Sequence, residues 1–358
     1  MFGSLSLPTL LLVFGGAAAC VWVAGLRLSY TTDVLSSRLG LGQALGGLLL
    51  LAIVTNLPEI AITASAALNK ELGLAVGNIL GGIAIQTVVL VSLDVLGVRG
   101  SEPLTYRAAS LSLVLEGMLV VAVLTVAVMG SQLPSSLILW RVDPEGLLIV
   151  ALWGAGIWLL SKARTGLPWH EEGDAPEGQE EPRGHSKAKK EQNATYRGIS
   201  TAEAAVAFSV AALFTLAGGV LLEQSGEAIA KDVGMSGVLF GSTFLAAATA
   251  LPEVSTGLAS VRMGDYQLAM SDIFGGNAFL PVLFLMASLL SGMAVLPQAH
   301  GTDIYLTGLG ILLTAIYVCG LIFRPRRRVL GMGVDSLVVL FLYLTGVAGL
   351  IAVAHGGG

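Results

Sequence analysis

Charge is scarce in this 358-residue chain: Asp, Glu, Lys and Arg together make up only 12% of it. Soluble domains carry about 25%. So little charge, beside 54% hydrophobic residues and a mean hydropathy of +0.81, excludes an ordinary soluble domain. It predicts an all-α integral membrane protein. Cysteine is nearly absent. Cys20 and Cys319 both lie in apolar segments, so no disulfide framework is implied. The few histidines form no metal-ligand pair: His170 and His185 sit in a polar stretch, His300 and His355 at the edges of apolar ones. No nucleophile–base pair or phosphate-binding loop occurs, which argues against an enzyme. A net charge of −5, with the basic residues in short clusters, argues against nucleic acid as a partner.

What the chain has instead is long apolar runs. About twenty apolar residues cross a bilayer as a helix, because no water is there to satisfy open backbone groups. Ten spans are predicted, at roughly 8–29, 41–68, 72–97, 107–130, 144–161, 202–223, 234–261, 267–291, 302–323 and 333–354. The opening MFGSLSLPTLLLVFGG lacks the basic n-region of a secretory signal and is expected to lead into a retained membrane helix. The one long polar interruption, 162–200, holds seven acidic and seven basic residues and is expected to be a flexible, solvated linker. It divides the spans five and five, into a first half 1–161 and a second half 201–358.

Lys and Arg fall unequally about these spans. Arg27, Arg38, Arg99, Arg107, Arg262, seven linker residues and Arg324, Arg326, Arg327 and Arg328 share one side, sixteen in all. Lys70, Arg141 and Lys231 are left for the other. The positive-inside rule then makes the linker cytoplasmic and puts both termini outside. Five spans per half is an odd number, so the second half enters the membrane inverted relative to the first. This is the plan of secondary transporters, whose substrate sites lie near the midplane between the repeats. The short linker and the lack of added domains point to a prokaryotic inner (plasma) membrane.

The segment TNLPEIAITASAALNKELGLAVGNILGGIA, beginning at Thr55, returns at Thr249 as TALPEVSTGLASVRMGDYQLAMSDIFGGNA. The two copies align without a gap at an offset of 194, and eleven of 34 positions are identical between 55–88 and 249–282. Thr55 falls on Thr249, Pro58 on Pro252, Glu59 on Glu253, and Gly81–Gly82 on Gly275–Gly276. A proline inside a helix removes one backbone hydrogen bond and frees a carbonyl a turn earlier. Freed carbonyls, the Thr55 and Thr249 hydroxyls and a carboxylate at each break make an oxygen-only set suited to Ca²⁺, Na⁺ or H⁺. The cost of an isolated charge at mid-membrane requires Glu59 and Glu253 to face each other and a cavity rather than lipid. Asp272 is a third intramembrane carboxylate, present in one copy only, and Asn78 is its counterpart. The expected partners are inorganic cations and the bilayer, with no resident cofactor. The glycine pairs are read as helix packing. Glu116 has no carboxylate counterpart at Gly310 and reads equally as a helix–helix bond or a proton relay. Glu223, Asp94 and Asp335 lie near span ends and are expected to be solvated.

At these residues the sequence resembles the calcium/cation antiporter superfamily, most closely its sodium/calcium exchanger branch. That family carries two inverted repeats with G-[TS]-S-x-P-E followed by G-N-x-x-G-S. Here VTNLPE and ATALPE are similar to the first element, and GNILGG and SDIFGG to the second. The resemblance implies antiport by alternating access. Glu59 and Glu253 would bind the ions with help from oxygens at Thr55 and Thr249, while the first and sixth spans slide across the remaining bundle. The family often has serine where this chain has Asn56, Ala250, Gly82 and Gly276, and usually Asn or Asp where it has Gln86 and Leu280. Asp272 replaces the family's asparagine. Ca²⁺ against Na⁺ is the leading pair, and proton-coupled exchange of Ca²⁺ or a monovalent cation stays open. A passive channel or scaffold is the third reading, without the pore-lining ring that a channel needs.

Overall fold

The structure, a computed structural model, describes residues 5–38, 53–163, 200–235, 237–262 and 264–356. The predicted linker falls almost wholly outside the described residues, as do residues 41–52 of the predicted second span. The helices are α1 (Leu7–Arg38), α2 (Leu57–Asn69), α3 (Leu72–Leu96), α4 (Leu104–Ala108), α5 (Leu111–Gly130) and α6 (Pro144–Ala163). They are followed by α7 (Thr201–Asp232), α8 (Gly237–Phe240), a π-helical stretch Gly241–Leu245, α9 (Ala246–Thr249) and α10 (Leu251–Arg262). The chain ends with α11 (Tyr266–Phe279), α12 (Val282–Ser291), α13 (Gly301–Phe323), a small hairpin of β1 (Arg328–Val329) and β2 (Met332–Gly333), and α14 (Val334–Gly356). Among the described residues, eight helices are long and apolar enough to cross a membrane, or nine if the bent pair around Ala250 is one span. Nine of the ten predicted spans therefore meet a helix or a bent pair, and the second is described only from Ile53 onward.

The two longest helices differ from expectation in length. α1 and α7 have 32 residues each and both run nine residues past the predicted ends at 29 and 223. Apolarity limits the membrane-crossing part of a helix, whereas the backbone ladder continues wherever polar residues tolerate helical geometry. Their starts at Leu7 and Thr201 and their ends at Arg38 and Asp232 all fall 194 positions apart, the offset of the sequence repeat. The two helices pack along each other. The main core gathers instead around α3, α5, α11 and α13, with Ile79, Ile83, Leu90, Leu124, Phe274 and Tyr317 among its buried members. α3 is buried on nearly every side, which fits its apolar residues being spread all round.

Three acidic residues expected to be solvated are buried: Asp94, Glu223 and Asp335. Folding brings them partners that lie far away in sequence. Asp94 accepts from the backbone N–H of Leu104 at 2.9 Å, the N–H of Gly333 at 2.7 Å and the Ser336 hydroxyl at 2.8 Å. Arg328 approaches the same carboxylate at 4.0 Å. Glu223 accepts from the Ser65 hydroxyl at 2.8 Å, joining α7 to α2. The Asp94 tie has a counterpart in the other copy. Ser288, which is 194 positions beyond Asp94, donates to Asp143, and Asp143 also accepts from the Gly146 N–H at 2.8 Å. One acid–hydroxyl pair thus fastens α3 to α14 and the other fastens α12 to α6. Asp94→Ala strands three donors, the Leu104 and Gly333 N–H groups and the Ser336 hydroxyl, a loss of about 3 kcal/mol. The thermal midpoint of the detergent-solubilised protein should fall by several degrees, and an unchanged midpoint would show the tie to be dispensable.

Candidate cation site at two helix breaks

Each LPE element starts a helix. Residues 53–55 are helical, Asn56 breaks the run at φ −89° and ψ 16°, and α2 begins with Pro58 in its first turn. In the second copy α9 ends at Thr249, Ala250 holds φ −78° and ψ −3°, and α10 leaves at a bend of 48°. Proline suits a first turn, where its missing N–H is not needed. The same absence leaves the Val54 and Ala248 carbonyls without their usual donors. The π stretch just upstream packs on α3, and its Ser242 lies so close to Gly81 that a Cβ there would collide with the Ser242 backbone. Close approach is thus the role of Gly81, as expected. π-helical turns often mark functional sites in helices.

The breaks bring four of the predicted residues together. Glu59 and Glu253 are buried and lie within each other's electrostatic reach, with Asp272 beside Glu253 and the Thr249 hydroxyl beside Glu59. All four carboxylate oxygens of Glu59 and Glu253 are buried, and among the described residues none has a donor at bonding distance. The Thr249 hydroxyl itself donates to the Ala246 carbonyl at 3.2 Å. Among the described residues no Lys or Arg acts on either glutamate. Asp272 accepts from Thr256 at 3.4 Å. Thr55 is buried in the turn before the first break. Asn78 is fully buried on α3, and among the described residues neither atom of its amide finds a hydrogen-bond partner. Glu116 is buried in α5.

Several polar residues here were not singled out as ligands by sequence. A Cβ on Gly276 would sit 3.0 Å from the Asn56 Nδ2 and 3.4 Å from the Gln86 Oε1, so two amides crowd the second glycine pair. Asn277 donates to Thr87 Oγ1 at 3.1 Å and to the Ile83 carbonyl at 3.4 Å. Ile83 is the residue 194 positions before Asn277, so the contact joins matched positions of the two copies. A polar side chain at a position whose counterpart is apolar was the available signal. Among the described residues no three His, Cys, Asp or Glu side chains stand close enough to hold a metal ion.

The long helices touch both breaks at their prolines. A Cβ on Gly25 of α1 would lie 3.0 Å from Cγ of Pro252, and one on Gly219 of α7 would lie 2.9 Å from the Pro58 carbonyl oxygen. Gly25 and Gly219 are again 194 positions apart.

The sodium/calcium exchanger protein family matches residues 9–162 and 203–352, most of both halves. The chain belongs to that family. Its members are transporters rather than enzymes, and this chain is an integral membrane protein. It is similar to inner membrane protein YrbG of Escherichia coli (strain K12), 27% identical over 280 residues that cover 77% of this chain and 78% of that one. Among solved structures it resembles the H⁺/Ca²⁺ exchanger CAX, with a TM-score of 0.66 at 15% identity, covering 96% of this chain and 82% of that one. The sodium-calcium exchanger NCX_Mj matches with a TM-score of 0.61 at 16% identity, covering 96% and 99%. At such identities these two likenesses concern the fold. Both LPE elements, with Glu59 and Glu253, fall inside the matched residues.

Proposed function

We propose that this chain exchanges Ca²⁺ for Na⁺ by alternating access around Glu59 and Glu253, within ten membrane helices arranged as two inverted five-helix repeats. One observation supports the reading: two buried carboxylates lie within each other's electrostatic reach at matched helix breaks, and among the described residues no basic side chain acts on them. Such a pair is costly inside a membrane until a cation or protons neutralise it. Ions arriving from either face would supply that charge together with Thr55, Thr249 and the carbonyls freed by Pro58 and Pro252. Only the neutralised site could then pass through a dry intermediate. α1 and α7 would slide on their glycine contacts at the two prolines, opening one face and then the other. By the sixteen-to-three split of basic residues, the linker 162–200 would be cytoplasmic and both termini outside.

H⁺ as the counter-ion is a second reading, favoured by Asp272 and by the loss of oxygens at Gly82, Ala250, Gly276 and Leu280. A third carboxylate beside the pair can carry a proton, and Gly, Ala and Leu where the family has Ser, Asn or Asp offer sodium fewer oxygens. Uptake of ⁴⁵Ca²⁺ into proteoliposomes, driven by an outward Na⁺ gradient or by a pH gradient, separates the two. Uptake that requires Na⁺ supports the first reading and uptake driven only by pH replaces it with the second. No calcium flux under either gradient would sink the calcium assignment altogether.

A further inference from the structure

A second group of buried oxygens lies away from the central site, where α3, α4, α13 and α14 meet beside the β-hairpin. Asp94, Thr105, Tyr317, Asp335 and Ser336 are all buried there. The Tyr317 hydroxyl donates to Ser336 at 3.3 Å, and Ser336 donates to Asp94. Asp94 is fully served, with two backbone N–H groups, that hydroxyl and the Arg328 guanidinium around it. Asp335 is not. Among the described residues neither of its buried carboxylate oxygens has a donor in good bonding geometry, nor does the buried Thr105 hydroxyl beside it, the Thr105 hydroxyl and the Ser336 N–H being the nearest donors. The carboxylate is held in place by close packing, since a Cβ on either Gly320 or Gly333 would collide with it.

The charges do not balance. Among the described residues a single guanidinium, that of Arg328, comes within ion-pair distance of these two carboxylates, and it is committed to Asp94 and to the carbonyls of Asp94 and Gly100. Asp335 lies in the first turn of α14, where the helix N-terminus favours a negative charge. That contribution is about 0.3–1 kcal/mol, against several kcal/mol for a buried carboxylate without a counter-charge. We propose that Asp335 and Thr105, with Tyr317 and Asp94 at the rim, form a second cation site that takes one hard monovalent cation, Na⁺, at the arginine-rich end of the bundle. One positive charge neutralises the excess, and hydroxyl and carboxylate oxygens suit an alkali ion. Occupancy ties α4 and α14 together, outside the path through Glu59 and Glu253.

The test uses the full-length protein in detergent with Glu59→Gln and Glu253→Gln together, so that the central pair no longer contributes. Equilibrium ²²Na⁺ binding should remain saturable in that background. Asp335→Asn should weaken it by about tenfold or more, the scale of one lost charged ligand. Gly320→Ala, which displaces the carboxylate without removing its charge, should weaken it similarly. Thr105→Ala provides the same reading should Asp335→Asn not remain monodisperse. Absence of saturable ²²Na⁺ binding, or binding indifferent to these substitutions, would overturn the site. Saturable ⁴⁵Ca²⁺ binding in its place would overturn the monovalent assignment.

Discussion

Glu253→Gln abolishes gradient-driven ⁴⁵Ca²⁺ uptake, lowering the initial rate in proteoliposomes by at least about 100-fold. The side chain keeps its shape and loses its charge, so the loss reports on ion binding rather than on packing. Loss of one charged member of a buried ion site costs about 3–5 kcal/mol, which corresponds to roughly 10²–10⁴ in affinity. Glu59→Gln should give a loss of the same order, because Glu59 and Glu253 occupy matched positions and are equally buried. Folding should survive both changes. A neutral amide relieves the repulsion between two carboxylates that no donor serves, so the thermal midpoint should hold or rise. Wild-type uptake in either variant would remove the glutamate pair from the transport path. A fallen midpoint with lost uptake would instead assign the pair to structure.

The repeat was legible because it is written in residue types with no other reason to recur. Leu-Pro-Glu at 57–59 and again at 251–253 gave the two helix breaks and the offset of 194. The structure extends that offset to the ends of α1 and α7, to Gly25 and Gly219, and to the contact between Asn277 and Ile83. Ends of long helices carry little composition signal, so α1 and α7 looked nine residues too short. Burial of Asp94, Glu223 and Asp335 was not legible at all. Asp94 is satisfied by Gly333 and Ser336, some 240 residues away, and Glu223 by Ser65, 158 residues away. A position near the end of an apolar run says only that water is close, whereas tertiary partners decide whether the group reaches it. The π-helical stretch Gly241–Leu245 escaped for a related reason. Its extra residue per turn is imposed by packing against α3, and no local pattern announces it.

Gly219→Ala should separate binding from movement. A Cβ at 219 would stand 2.8 Å from the Ala61 Cβ and 2.9 Å from the Pro58 carbonyl oxygen. A backbone oxygen beside a proline cannot swing aside, so α7 must lift off α2 for the methyl group to fit. Overpacking of this kind costs about 1–3 kcal/mol. If α7 slides past α2 in each cycle, that cost recurs whenever the protein returns to the present arrangement, and turnover falls by roughly 10–100-fold. Ca²⁺ affinity should change by less than about threefold, because no proposed ligand is touched. Gly25→Ala gives a graded comparison. Its Cβ would meet only side-chain atoms of Pro252, at 3.0 and 3.1 Å, and a proline ring can pucker away. A loss below about tenfold is expected there. Full turnover in Gly219→Ala would mean that α7 does not move against α2. Equal losses in affinity and turnover would mean that the glycine shapes the ion site itself rather than the helix contact beside it.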